Sequence, residues 1–283
     1  MNQSVKSSYS DHVRINDFAI RCFREIGDGD YVAARMAFRG GLWSQFLWSA
    51  EQAIEKYLKC ILMLNRVPSN DLRHDIKMAL DRVNAKLPFQ LQLRKAEQEL
   101  FDRVAGLEGD RYLIFSFQID NRDFFVFDSL VWRLRQYCIP LDLKTVRDKP
   151  SKVLLLERVA IIEARSQRIL ERSADATTAI REGHLDKGKL EKILSDKKNP
   201  AYADLVWKNK FFSNMIGRKV RFTNGWSAVN SPLTLSPELA DEAAKWMYIP
   251  KPILAEARAY VANPPKPVKH GPPKLVKKMP RFS

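Results

Sequence analysis

The 283-residue chain has few of the residues from which catalytic and metal sites are usually built. It contains four histidines and three cysteines, the latter being Cys22, Cys60 and Cys138. An odd number of widely spaced cysteines predicts reduced, mostly buried thiols rather than a zinc site. A glycine-rich phosphate loop, a Ser/His/Asp array and a cofactor fingerprint are also missing. The sequence therefore predicts no metal and no cofactor.

Long apolar segments are missing as well. No run approaches the roughly 18 apolar residues that span a bilayer, so no membrane partner is predicted. Residues 1–14 lack the apolar core of a signal peptide, and a cytoplasmic location is expected. With 45% hydrophobic residues, the chain still has ample material for a packed core.

Acidic residues are fewer than basic ones, 33 against 48, which gives a formal net charge of +15. Such a charge favours polyanionic partners, nucleic acid or an anionic membrane, although a basic chain can also be merely soluble. Residues 263–283 supply six of the excess positive charges and contain six prolines but no acidic residue. They cannot bury enough apolar surface to fold, so a basic, proline-rich disordered tail is predicted.

The clearest pattern lies between Leu42 and Arg82. Apolar residues recur there at three- and four-residue steps, which predicts a long amphipathic helix, a polar turn and a second helix that starts near His74. Glu55 precedes Lys59 by four residues, the favourable order for a helical ion pair. The apolar face of the long helix comprises Trp43, Phe46, Leu47, Ala50, Ile54, Tyr57, Leu58, Ile61 and Leu62.

The segments on either side of this helical pair give mixed signals. We expect Asp30 to cap a helix that ends or bends at Gly40–Gly41, before the long helix. Residues 112–120 are rich in aromatic and β-branched side chains and predict a strand whose hairpin partner is Asp123–Phe127. An extended buried connector is the alternative for this stretch.

A charged, proline-ended stretch at residues 141–150 predicts a linker between two domains. After it, Asn199–Pro200 begins a helix that runs to about Ile216, and Asn224–Gly225 favours a small β-hairpin. The predicted fold class is mainly α, with an antiparallel helical bundle followed by a second, mostly helical region. The predicted division is an N-terminal arm at residues 1–27, the bundle at 28–145, the mostly helical domain at 151–262 and the tail at 263–283.

The run Ala50–Lys59, together with His74–Ile76 and Ala79–Leu80, resembles the signature of HEPN domains. These all-helical domains are found beside nucleotidyltransferases, in toxin–antitoxin and defence systems and in ribonucleases. The resemblance covers about residues 28–140, and Arg111-Tyr112 resembles a pair that precedes the last helix in one branch of the family. The resemblance implies a HEPN-like bundle that forms a homodimer through its long helices, and a nucleotidyltransferase-type partner.

Arg111 and Tyr112 are candidates for contact with a nucleotide or phosphate. A buried arginine paired to a helix end is the alternative. HEPN ribonucleases carry an arginine and a histidine separated by four to six residues, and none of the four histidines here has such an arginine. The predicted function is therefore non-catalytic binding of nucleic acid or of a partner protein. In the alternative, a divergent ribonuclease or toxin, His74 would act as general base with Arg111, whereas the structural alternative makes His74 a helix-start residue.

Two segments in the second half, 207–211 and 218–222, alternate basic and aromatic residues. Because cations neutralise phosphates and exposed rings stack on bases, this pattern predicts binding of nucleic acid. Of the two kinds of nucleic acid, RNA is the expected partner rather than DNA. The alternative is a small helix and hairpin whose rings belong to the core. The predicted contacts here and in the tail are Trp207, Lys208, Lys210, Arg218, Lys219, Arg221, Lys274, Lys277 and Lys278.

Overall fold

The computed structural model describes residues 10–106, 117–172, 188–212, 226–229, 232–245, 249 and 251–264. These residues are mainly helical, which confirms the predicted mainly-α class. Contacts divide the chain into two units, the first formed by Met1–Tyr112 and Phe117–Val229 and the second by Leu113–Ser116 and Asn230–Ser283.

The described elements of the first unit are helices of 5 to 22 residues and two four-residue strands. In chain order they are α1 (Asp11–Ala19), a π-helical turn (Ile20–Arg24), α2 (Glu25–Arg39), α3 (Trp43–Leu64), α4 (Ile76–Lys86), α5 (Lys95–Gly106), β1 (Phe117–Asp120), α6 (Asn121–Arg135), α7 (Lys152–Arg172), α8 (Lys189–Ser195), α9 (Tyr202–Val206) and β2 (Trp226–Val229). In the second unit they are α10 (Pro232–Leu235), a 3-10 turn (Pro237–Leu239), α11 (Ala240–Ala243) and α12 (Lys251–Ala262).

Helix α3 is the central element of the first unit, in contact with α1, α2, α4, α5 and α6. The residues predicted for its apolar face are all buried except Trp43, which is half-buried. Each fully buried leucine or isoleucine contributes about 1.5–3 kcal/mol relative to an exposed one. The apolar face of α3 therefore supplies a large part of the hydrophobic stabilisation of this unit.

The chain turns back at Gly40–Gly41, which confirms the predicted break between α2 and α3. Gly41 has a φ of +72°, in the left-handed region that favours glycine. Near the start of α2, a Cβ on Gly27 would lie 3.2 Å from the Cβ of Lys56. Near its end, the ring of Phe38 lies 5.0 Å from that of Phe46. Helices α2 and α3 are therefore antiparallel.

The prediction for the N-terminal segment was wrong in one respect. Helix α1, the π-helical turn and α2 follow one another without a break, so Asp30 lies inside α2 and caps nothing. Its Oδ2 instead lies 2.8 Å from Nζ of Lys56 on α3. Ser10 caps the start of α1. The described part of the predicted N-terminal arm is therefore helical almost throughout.

The hairpin predicted around Asp120 was also wrong in part. Strand β1 forms, but Asp123–Phe127 belongs to helix α6. The side chain of Asp120 accepts from amides in the first turn of α6, and Asp123 accepts from the amide of Asp120 at 2.8 Å. This capping box starts a helix where the aromatic residues favour a strand. Strand β1 pairs antiparallel with β2 instead, with Phe117 opposite Val229.

A buried ion network joins α8 to the bundle. The guanidinium of Arg135, at the end of α6, donates two hydrogen bonds to Asp28 (2.7 and 2.9 Å) and two to Glu191 of α8 (2.7 and 2.8 Å). Tyr57 donates to the same Asp28 carboxylate at 2.8 Å. These side chains are all about nine-tenths buried or more, so little solvent screens their charges.

Helices α8 and α9 thus belong to the first unit, in contact with α2. The predicted boundary at residues 141–150 lies within that unit and does not separate the two units found in the structure. Linker composition carries no information about a charge pair such as Arg135 and Glu191, which lie on opposite sides of residues 141–150 and 56 positions apart.

We expect Arg135→Ala to lower the free energy of unfolding by about 3–5 kcal/mol, because it removes the cation that two buried carboxylates share. Arg122→Ala removes an exposed arginine from the same helix and should change it by less than about 0.5 kcal/mol. Urea unfolding followed by circular dichroism measures both variants. Equal losses in the two variants would contradict the role given to Arg135.

Candidate nucleic-acid interface

The basic and aromatic segment 207–211 forms a tight turn after α9, where the sequence predicted a continuing helix. Lys208 has a φ of +50°, which takes the backbone out of the helix. Asn209 is buried, and its Oδ1 accepts from the amides of Phe211 and Phe212 at 2.9 and 3.0 Å. This side-chain cap replaces helical hydrogen bonds and explains why α9 is short.

A second buried arginine, Arg35 of α2, holds this turn against the bundle. It donates from Nε to the carbonyl oxygen of Asp204 at 3.0 Å and from Nη2 to the carbonyl oxygen of Trp207. Its Nη1 contacts the carboxylate of Asp128 on α6. The carbonyls at the end of α9 are thereby satisfied by a cation, which is the favourable sign of charge at that end of a helix.

The phenol of Tyr31 extends the same network. It donates to Asp128 at 2.7 Å and accepts from Nδ2 of Asn209 at 2.9 Å. Burial, and then the neighbouring Asp128 charge, raise the pKa of Tyr31 well above its ordinary value. Burial also raises the pKa of Asp128, although Arg35 opposes this effect. The turn that carries Trp207 is therefore fixed from inside the protein.

Five side chains form a ring–cation patch: Arg39, Phe125, Trp207, Lys208 and Lys210. The Nζ of Lys208 lies 4.9 Å from the centroid of the Trp207 ring, and the guanidinium carbon of Arg39 lies 5.6 Å from it. The Nζ of Lys210 lies 5.0 Å from the centroid of Phe125. All three distances are within the about 6 Å over which a cation is attracted to a ring face.

The side chains of the patch are partly exposed and pack on a buried ring. The Arg39 side chain is 47% exposed and pairs with Asp204 at 2.9 Å, while the other four members are half-buried. Phe211 is buried, with its ring 5.4 Å from that of Phe125. Phe211 is therefore core, as the structural alternative predicted, whereas Trp207 and the two lysines reach the surface.

The structure brings together three of the predicted nucleic-acid contacts, Trp207, Lys208 and Lys210. Sequence reasoning missed Arg39 and Phe125, which belong to α2 and α6. Both are far from Trp207 in the sequence and have ordinary helical neighbours, so no local pattern indicates them. Several other predicted site residues lie outside the described residues, namely Arg111, Tyr112, Arg218, Lys219, Arg221, Lys274, Lys277 and Lys278.

His74, the other predicted site residue, lies just before α4 with its Nδ1 3.0 Å from Oε2 of Glu55. Glu55 also pairs with Lys59, which confirms the predicted helical ion pair. The Glu55 side chain is 8% exposed and that of His74 62%. Because an ionised carboxylate only accepts, a neutral His74 ring in this contact would donate from Nδ1 and keep a lone pair on Nε2. The contact anchors the histidine side chain.

Within the described ranges, no group of three or more His, Cys, Asp or Glu side chains is arranged to hold a metal ion. No helix in that part of the chain is both long and apolar enough to cross a bilayer. Cys60 and Cys138 are buried free thiols, and Cys22 is an exposed one.

Comparisons with protein-family models, with curated proteins and with solved structures found no match. No relative therefore indicates a role for the ring–cation patch or for the pair of His74 and Glu55. Their chemistry is defined by the charges, rings and hydrogen bonds around them.

Tyr31 and Tyr57 each donate to a buried carboxylate, and burial raises the pKa of both phenols well above the ordinary value. The unfolded phenols ionise near pH 10 and the folded ones do not, so their contribution to stability is complete below about pH 10 and is lost as the pH rises further. We expect the free energy of unfolding to fall there by about 1.4 kcal/mol per pH unit for each phenol.

Urea unfolding between about pH 9 and 12, with phenolate absorbance recorded in parallel, measures this effect. The matched variant is Tyr57→Phe, which keeps the ring and removes one buried phenol, so the slope should become less steep by about 1.4 kcal/mol per pH unit. If every tyrosine of the folded protein ionises near pH 10, the prediction is wrong.

Proposed function

We propose that this protein is a cytoplasmic, non-catalytic, HEPN-like module that binds nucleic acid, with RNA preferred to DNA. The observation that carries the proposal is the ring–cation patch, in which three cations lie close to two half-buried rings. Such cations attract phosphates, and such rings offer a surface to bases. The net charge of +15 supports the same kind of partner, because it adds long-range attraction for a polyanion.

The way the patch is built also supports the proposal. Arg35 holds the backbone at Trp207, and Asn209 caps the turn that follows. A preformed site loses little conformational entropy when its ligand binds. Buried side chains of the first unit thus keep the ring–cation patch ordered before a nucleic acid binds to it.

The HEPN-like part of the proposal is supported by the antiparallel α2 and α3, with Ala50–Lys59 on the central helix and His74 at the start of the next. We propose these long helices as a homodimer surface. Three exposed apolar side chains on α2, before α3 and on α3 favour a protein contact there: Met36, Leu42 and Trp48. A nucleotidyltransferase-type partner and a defence or toxin–antitoxin role are hypotheses of the same kind.

We expect labelled RNA and single-stranded DNA to bind the full-length protein in a salt-sensitive manner without being cleaved. Truncation after Ala262 should weaken binding, since it removes six positive charges. Replacing Lys208 and Lys210 by alanine should reduce the slope of log affinity against log salt by about 0.7 for each phosphate that is no longer neutralised. Gel shifts at two salt concentrations, with intact and cleaved RNA resolved together, provide the measurement.

The matched control replaces Lys77 and Lys95, two exposed lysines outside the patch, by alanine. Both double variants lose two positive charges. A weaker RNA affinity of the patch variant than of this control therefore shows a local role for Lys208 and Lys210. If RNA binding is undetectable even at low salt, the proposed function is rejected.

A second candidate function, RNA cleavage, is favoured by the contact between His74 and Glu55. A carboxylate that holds Nδ1 leaves Nε2 able to accept a proton from an attacking hydroxyl.

If the protein cleaves RNA in this way, its expression should be toxic. His74→Ala should then abolish both toxicity and cleavage while the circular dichroism spectrum stays unchanged. Glu55→Gln should reduce cleavage, and Lys77→Ala should not. Normal growth of cells that express the wild type, together with intact RNA, would exclude the enzyme.

A further inference from the structure

The ring–cation patch also indicates which form of nucleic acid it accepts. We propose that it takes a single-stranded polynucleotide, whose phosphates draw Lys208 and Arg39 away from the Trp207 ring so that a base stacks in their place. The inference rests on the proposed function and adds to it the substrate class and the exchange by which the ring becomes available.

The groups around the Trp207 ring differ in how easily they move. Phe124, which is fully buried, packs against the ring with the centroids 5.3 Å apart. Lys208 and Arg39 cover the ring with long side chains that end in cations. Long side chains that reach the surface change rotamer faster than a buried phenylalanine in a helix, which is held by its packing.

The energies favour exchange of the cations for a base. The two cations over the Trp207 ring contribute about 0.5–1 kcal/mol each, about 1–2 kcal/mol together, and a base stacked on an aromatic side chain contributes about 1–3 kcal/mol. Each cation that leaves the ring gains a phosphate. The pair of Arg39 with Asp204 is partly exposed, and surface pairs contribute only about 0–1 kcal/mol, so it opposes the movement little.

The ring itself stays in place during this exchange. The Trp207 carbonyl is held by Arg35, and the following turn is held by Asn209, which also bonds to Tyr31. The side chains of Lys208 and Arg39 can therefore move while the backbone of Trp207 does not. A stacking site requires a ring that stays fixed while the side chains above it move away, because the protein then loses little conformational entropy when a base stacks.

A second pair in the patch repeats the arrangement. Lys210 lies over Phe125, the residue that directly follows Phe124 in α6. Each ring with a cation beside it offers a surface to a base and a charge to a phosphate. A duplex keeps its bases stacked inside and would engage only the cations. The two rings are therefore useful only for unpaired bases.

We expect oligouridylate of about 20 nucleotides, longer than common single-strand site sizes, to bind more tightly than duplex RNA of the same length. Oligodeoxythymidylate of that length should also bind more tightly than a duplex, but less tightly than oligouridylate, because RNA is the preferred nucleic acid. Trp207→Leu should weaken single-strand binding by about 5- to 150-fold, the factor for one stacked base, and leave duplex binding unchanged. Tyr260→Leu, which removes an exposed aromatic residue elsewhere, is the control and should bind both as the wild type does.

A second measurement does not depend on affinity. Oligouridylate that contains bromouridine, irradiated in complex with the wild-type protein, should form an adduct at Trp207 that peptide mass spectrometry locates. Equal affinity for duplex and single strand, or wild-type binding by folded Trp207→Leu, overturns the stacking inference and leaves the proposed function in place. If Trp207→Leu does not fold, absence of an adduct at Trp207 overturns the inference. If no polynucleotide binds at low salt, the proposed function fails, and the inference fails with it.

Discussion

Two desolvated guanidinium groups determine how the later helices of the first unit meet the earlier ones. Arg135 binds Asp28 and Glu191 at once, and Arg35 contacts Asp128 while donating to the end of α9. A buried arginine costs several kcal/mol unless its partners stand in good geometry. Each guanidinium has a fixed, planar set of donors, so it accepts only a narrow range of positions for α2, α6, α8 and α9.

The surface chemistry depends on that interior. Arg35 reaches the carbonyl of Trp207, so one residue joins the buried network to the ring–cation patch. The patch draws on α2, on α6 and on the turn after α9, three parts of the chain whose relative positions the buried charges define. A mutation inside the bundle can therefore alter binding at the surface without touching a surface residue.

Local signals predicted the long elements well. The apolar face of α3, the break at Gly40–Gly41 and the pair of Glu55 with Lys59 all depend on residues within a few positions of one another. Predictions failed where two local signals competed. Aromatic residues favoured a strand after Asp120, and the Asp120 capping box started a helix instead. At Asn209 a side-chain cap ended α9, although the apolar spacing favoured its continuation.

By itself, the sequence determined that the chain is mainly helical, that α3 is its apolar centre and that basic and aromatic residues alternate near Trp207. These properties follow from periodicity and composition, which act over neighbouring residues. Only the tertiary structure decided that Phe211 is core while Trp207 is not, that Arg39 and Phe125 complete the patch and that Glu55 orients His74. The reason is physical: burial and charge pairing depend on distances in space, and residues far apart in the sequence carry no local sign of meeting.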